Sequence, residues 1–215
     1  MQSDCNGSRP LRVSLRELLG SSRKNQPRRG IPTYLFEQVS GPEGQPDRIR
    51  IEDIVIDPVG RIRKKKRVDP GSIESEDVDI REVLVHAGDL VLTTLGPQFK
   101  CAVVDGENDG ALISENIIAM TLLPDYSAEY VASYLNSPFG QTELQRHASG
   151  TSHIVRISSR DLLEVEICLP PEGTEGEVFR LFRTYYEYER LLSKEREARM
   201  RIMNALLCAG RGGRS

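Results

Sequence analysis

The chain has 215 residues, room for one good-sized domain with an appendage or for two small ones. Hydrophobic residues make up 38% and charged residues 28%, a soluble globular profile that excludes a disordered chain, and no apolar run approaches the ~18 residues of a membrane helix. Net charge is −3 but unevenly spread: residues 1–67 hold 15 basic against 8 acidic side chains, 68–175 hold 5 against 19, and 176–215 hold 9 against 5, which leaves room for a basic face on an acidic chain.

In chain order, residues 1–10 read as a flexible polar tail with no apolar signal core, so a cytoplasmic location is expected. In "LRVSLRELLG", Leu11, Leu15, Leu18 and Leu19 share one helical face, with Ser14 as cap and Gly20 as stop. "SSRKNQPRRG" is a basic loop. Short strands follow in "TYLFEQV", "RIRIEDIVI" and "GRIRKKKRV", divided by Pro and Gly, and "GSIESEDVDI" is an exposed acidic stretch. Val83–Val85, a turn at Gly88-Asp89 and the strand Leu90–Leu95 come next, then further strands around a Gly/Asn/Asp turn. Ser127 caps the helix "AEYVASYLN", Ser137 with Pro138 opens "PFGQTELQRHA", and Ser158 or Ser159 caps a brief turn before the strand "EVEICLP".

Beyond Pro170-Pro171 the pattern changes. From Gly176 to Ala209 there is no Pro and no internal Gly. Val178, Leu181, Tyr185, Tyr188 and Leu192, then Ala198, Ile202 and Ala205, recur close to a heptad seam that Glu195 interrupts. The expected architecture is α+β: a mixed α/β globule over residues 11–171, one long coiled-coil-like helix over 172–209 that needs a partner helix, and a disordered tail over 210–215.

Several chemistries are weighed on these residues. Ser152, His153 and Asp161 are the residue types of a catalytic triad, but no G-x-S-x-G elbow exposes a nucleophile, and a polar loop is the better reading. Asp89, Gln98 and Lys100 resemble the Asp…Gln-x-Lys set of restriction-type nucleases, where the acid holds a divalent metal and the Lys stabilises phosphorane charge; the plainer reading makes Asp89 a turn residue. No S-adenosylmethionine loop and no P-loop is present. The four Cys (Cys5, Cys101, Cys168, Cys208) and three His (His86, His147, His153) are too scattered for a disulfide framework or a metal site, so no metal and no cofactor is expected.

The strongest local signal is the basic strand Arg61, Arg63, Lys64, Lys65, Lys66 and Arg67, which suits a duplex backbone, although Lys also serves to block pairing at a sheet edge. Thr93, Thr94, Gln98 and Lys100, then Thr151, Ser152, His153 and Arg156, are types that read base edges from loops.

The order of "IRIEDIVIDPVGRI", "HAGDLVLTTLG", "EYVASYLNSPFGQTELQ", "GTSHIVRISSRDLLEVEICLPP" and the long helix resembles one target-recognition half of a type I restriction-modification specificity subunit, over nearly the whole chain. The resemblance implies a non-catalytic domain that reads one half of a split site in double-stranded DNA. It also implies a helix that packs antiparallel on a second such helix and docks an adenine methyltransferase subunit, with a restriction translocase as a further partner. Such subunits carry two recognition domains and two helices where this chain has one of each, so the implied assembly is a homodimer reading a palindromic split site, as part of phage defence. Its helix would pair through Val178, Leu181, Tyr185, Tyr188, Leu192 and Ile202. A Glu-Gln pair usual after the proline is replaced by Glu175-Gly176-Glu177. The remaining alternative is an interaction scaffold that does not read DNA.

Overall fold

The structure is a computed structural model that describes residues 11–32, 48–56, 60–63, 83–151 and 154–209. An antiparallel sheet forms the centre, in the order β2 (Arg28–Arg29), β10 (Ile117–Met120), β6 (Leu90–Thr93) and β8 (Cys101–Val103). Every residue of β6, β8 and β10 is buried, because alternate side chains enter two different cores. Leu90, Leu92, Cys101, Val103, Ile118 and Met120 face one core, while Val91, Ala102, Ile117 and Ala119 face the other.

The first core is closed by helices α1 (Leu15–Leu19), α2 (Ala128–Asn136), α3 (Pro138–His147) and α4 (Ser159–Leu162), together with strand β13 (Glu166–Cys168). The second is closed by β3 (Arg48–Ile49), β4 (Ile54–Val55), β5 (Arg61–Ile62) and β9 (Leu112–Ile113), which contribute Ile49, Ile54, Ile62 and Ile113. Burying each such Leu or Ile contributes about 1.5–3 kcal/mol. The architecture is α+β, a mixed globule followed by one long helix α5 (Glu175–Ala209) of 35 residues. No helix among the described residues is long and apolar enough to cross a membrane.

Local signals set most boundaries. Ser14 and Glu17 form a reciprocal capping box on α1, and Ser127, Ser137 and Ser158 each accept a backbone N–H at the start of a helix. The helix expected from Leu11 is shorter than its periodicity implies. Residues Arg12–Ser14 form strand β1, which pairs with β13 through Arg12↔Cys168 and Ser14↔Glu166, so Leu11 stays 60% exposed. A distant strand overrides the local helical pattern there. Gly140 lets α2 and α3 meet, since a Cβ at that position would lie 2.1 Å from the Tyr134 carbonyl oxygen.

Strand β8 is the edge of the central sheet, and amide side chains stand in for its missing neighbour. Asn136 donates from Nδ2 to the Cys101 carbonyl (2.8 Å) and accepts the Cys101 N–H on Oδ1 (2.9 Å). Gln141 repeats the arrangement two residues away, donating to the Phe99 carbonyl (2.8 Å) and accepting the Phe99 N–H (3.1 Å). Buried backbone groups are thereby satisfied and the edge is closed to another strand.

Helix α5 is anchored over its first half. The rings of Phe179 and Phe182 lie 5.4 and 5.2 Å from that of Tyr130, and Tyr186 enters the first core at 4% exposure. Lys194 and Arg190 reach Glu107, and Arg183 reaches Glu129 at 3.9 Å. From Glu195 to Cys208 every residue but Ala198 is exposed. That free part projects about 20 Å at ~1.5 Å per residue. Phe179, Phe182 and Tyr186, outside the heptad seam expected from sequence, hold the helix to its own domain. Of the seam residues, Leu181, Tyr185, Tyr188 and Ile202 are exposed, and Val178 and Leu192 are half-buried.

Burial raises the pKa of Tyr186 and Tyr130, and pushes that of Tyr134, whose hydroxyl also meets Cys168 Sγ, up to about 12. A tyrosine in the unfolded chain ionises near pH ~10. The folded state therefore keeps protons that the unfolded state loses, so this stabilisation is whole below pH ~10 and disappears as pH rises toward ~12. The urea midpoint is expected to hold steady from pH 7 to 9.5 and fall from 10 to 12, with a shallower fall in Tyr134→Phe. A Tyr134→Phe profile that overlays the wild type would show that Tyr134 does not contribute.

Candidate nucleic-acid interface

Strands β11 (Ser149–Thr151) and β12 (Ile154–Arg156) pair antiparallel, with Gly150↔Val155 in register. Gly150 has φ +139°, and a Cβ there would lie 2.3 Å from the Ile154 carbonyl oxygen, so only glycine fits. Strand β12 also pairs with β7 (Leu95–Gly96), aligning Val155 with Gly96 and Arg156 with Leu95. The expected single strand Leu90–Leu95 is thus divided at Thr94, whose carbonyl accepts the Ile157 N–H at 3.1 Å.

This small sheet unites two segments more than fifty residues apart in sequence. Gln98 sits exposed on the turn after β7, and Ile154 and Arg156 are exposed two apart on β12, a spacing that puts both on one face. Thr151 is at the register position opposite Ile154. Ser152 and His153 lie outside the described residues. Asp161 is committed to a helix cap: its N–H is accepted by Ser158 Oγ (3.1 Å), which donates to Asp161 Oδ2 (2.6 Å).

Three expected base-reading side chains are elsewhere. Thr93 and Thr94 are 0% and 1% exposed, and Thr93 Oγ1 accepts the Lys100 N–H at 2.9 Å. The Lys100 ammonium donates to the carbonyls of Ile51 and Ile54 at 3.3 and 3.2 Å, tying the turn before β4 to the sheet. Burial of Thr93 and Thr94, and the use of the Lys100 ammonium on two backbone carbonyls, remove them from a groove-facing surface.

The nuclease arrangement is not assembled either. Asp89 Oδ2 accepts from Arg28 (2.7 Å) and the His86 N–H (2.9 Å), and Oδ1 accepts the Thr121 hydroxyl (2.6 Å). Asp89 immediately precedes β6, beside Val104, whereas Lys100 lies opposite Thr93 at the other end. Four residues of strand separate the two ends by about 13 Å. Among the described residues no three His, Cys, Asp or Glu side chains come together as metal ligands.

Of the basic strand, Arg61 and Arg63 are described. Arg63 is exposed, while Arg61 lines a cleft that it shares with Asp105, Glu107 and Arg190 under α5. Lys64, Lys65, Lys66 and Arg67 lie outside the described residues. A second basic region was visible in sequence only as a charged loop: Arg23, Lys24 and Arg28 line a cavity of about 700 Å³ together with His86 and Asp89.

No protein-family model and no curated protein matches the chain. Solved structures do. The HsdS subunit from Thermoanaerobacter tengcongensis matches over 91% of this chain and 47% of its own, with 17% identity and a TM-score of 0.52. The S subunit of a type I restriction-modification system from M. genitalium matches over 90% of this chain and 43% of its own, with 14% identity and a TM-score of 0.48. The chain therefore shares the fold of the first of these subunits along nine-tenths of its length, and spans about half the length of either.

Proposed function

We propose that this chain is a DNA-recognition subunit of a type I restriction-modification system, without catalysis of its own, that brings an adenine methyltransferase and a restriction translocase to a split site. The observation that carries this reading is the fold it shares with an HsdS subunit over 91% of the chain. The sheet of β7, β11 and β12 supports it locally, because its pairing brings the segment that carries the exposed Gln98 beside the strand that carries the exposed Arg156. Gln suits adenine and Arg suits guanine in a major groove. Arg63 and the basic residues Lys64–Arg67 after it supply phosphate contacts, whose contribution is independent of sequence and sensitive to salt. Two copies joined through α5 read the two halves of a palindromic site.

The test is selection of bound duplexes from a random library by the purified chain, with and without a type I adenine methyltransferase. An enriched two-part palindrome is the expected result. In Arg156→Ala, discrimination at one base of each half-site should fall roughly 10- to 100-fold, while the salt dependence changes little. No enrichment in either condition would overturn the reading in favour of a scaffold that does not read DNA.

A further inference from the structure

The basic loop after α1 is pinned to the domain by its amides. Asn25 Nδ2 donates to the Leu19 carbonyl at 2.8 Å and Gln26 Nε2 to the Gly20 carbonyl at 2.7 Å, while the Asn25 carbonyl accepts the Thr121 N–H at 3.2 Å. Arg23, Lys24 and Arg28 are thereby held along a cavity of about 700 Å³ that Leu84, His86 and Ala87 also line. That volume falls within the ~300–1,000 Å³ of small-molecule sites. Arg28 is fixed in orientation: Nη2 donates to Asp89 Oδ2 at 2.7 Å, and Nη1 to the Lys24 carbonyl and, at 3.4 Å, to the Thr121 hydroxyl. Its Nε–H and one Nη2–H have no partner among the described residues, and neither has the Lys24 ammonium. Asp89 offsets the charge of Arg28, and the nearby Asp109 accepts the Ala87 N–H and meets the His86 ring without lining the cavity.

We propose that this cavity binds a free phosphorylated ligand of nucleotide type, with its phosphate on Arg28 and Lys24 and its ring against Leu84 and Ala87. A guanidinium held in one orientation presents a donor fork to phosphate, and the neighbouring ammonium adds a point charge. Apolar walls beside a few convergent polar groups suit a ligand with both a charged and a flat apolar part. A duplex phosphate shares the first half of this chemistry, but the placement favours a separate ligand. Asp89 immediately precedes β6, whereas β7, which pairs with the strand carrying Arg156, follows it. The four residues of β6 put the two ends about 13 Å apart. The Arg28 side chain is also recessed, at 19% exposure, where a small ligand enters more readily than the convex backbone of a duplex. The proposal is independent of the recognition reading above: a chain that reads no DNA would keep this site.

The test is isothermal titration calorimetry on the full chain at low ionic strength, with AMP, GMP, CMP and UMP as probes and inorganic phosphate and adenosine as controls. At least one nucleotide should bind with a dissociation constant below about 1 mM, roughly tenfold or more tighter than phosphate or adenosine. Lys24→Glu reverses an exposed charge and should weaken that binding roughly tenfold or more. Arg28→Lys keeps a cation beside Asp89 but loses the fork, and should weaken it too. Melting curves that match the wild type show the variants to be folded; Lys24→Glu decides alone if Arg28→Lys melts early. No nucleotide binding by the wild type, or binding unchanged in Lys24→Glu, overturns the site. Phosphate or adenosine binding as tightly as the nucleotide overturns its two-part character. Displacement of the nucleotide by a saturating DNA duplex, with duplex affinity lowered by Lys24→Glu, assigns the cavity to the DNA backbone and overturns the free ligand.

Discussion

Replacing Tyr186 with Ala is expected to lower the stability of the chain by about 3–5 kcal/mol, the usual cost of emptying a buried aromatic site. The ring is 4% exposed in the core formed by α2, β8 and their neighbours, and it is the deepest point of contact between α5 and the globule. For a chain of this size the melting midpoint should drop roughly 6–20 °C. Tyr186→Phe should be nearly neutral, because the hydroxyl reaches the Val103 carbonyl at a long 3.4 Å. Differential scanning calorimetry on the two variants separates ring from hydroxyl. A loss below about 1 kcal/mol in Tyr186→Ala would mean that Phe179, Phe182 and the Glu107 ion pairs hold the helix without it. The consequence for function is geometric. Loss of the anchor should loosen the angle between α5 and the globule, which under the function proposed above sets the spacing of the two half-sites.

The second large effect concerns Gln141, 8% exposed, whose amide serves three backbone groups: the Phe99 N–H, the Phe99 carbonyl and, at 2.7 Å, the Leu135 carbonyl. Gln141→Leu nearly preserves volume and leaves all three unpaired in a buried site. Each orphaned group costs about 1–3 kcal/mol, so a loss of roughly 3 kcal/mol or more in urea unfolding is expected. Gln141→Glu should also destabilise, since a carboxylate accepts the N–H but has nothing to donate to two carbonyls. A loss under about 1 kcal/mol in both variants would show that water replaces the amide. Phe99 follows Gln98 on the turn beside the β11–β12 pair, so the same variant should also weaken DNA binding if that turn meets the duplex.

Much of the secondary structure was legible because its signals are local. Ser127, Ser137 with Pro138, and Ser158 start helices through hydrogen bonds to residues three positions away, which a sequence reading can check. The long helix was legible because nothing from Gly176 to Ala209 breaks it. The candidate interface was legible only in pieces. Gln98 and Arg156 were singled out separately, and their union depends on β7 pairing with β12. Thr93, Thr94 and Lys100 were misplaced for the opposite reason. Thr93 Oγ1 and the Lys100 ammonium bond to backbone groups and Thr94 is buried, and residue type alone does not separate such roles from a surface one.

Helix starts and stops, the order of a mixed globule before one long helix, and the seven-residue rhythm of that helix are all written in the residue order. These are properties of short-range hydrogen bonding and periodicity. Long-range packing makes Arg12–Ser14 a strand, brings Asn136 and Gln141 to the edge of β8, and selects the face of α5 that stays with its own domain. Phe179, Phe182 and Tyr186 are as apolar as Leu181, Tyr185 and Tyr188, and the hydrophobic effect has no direction. Which of them finds a partner within the chain, and which stays exposed, is settled by where the rest of the fold puts Tyr130 and Glu107.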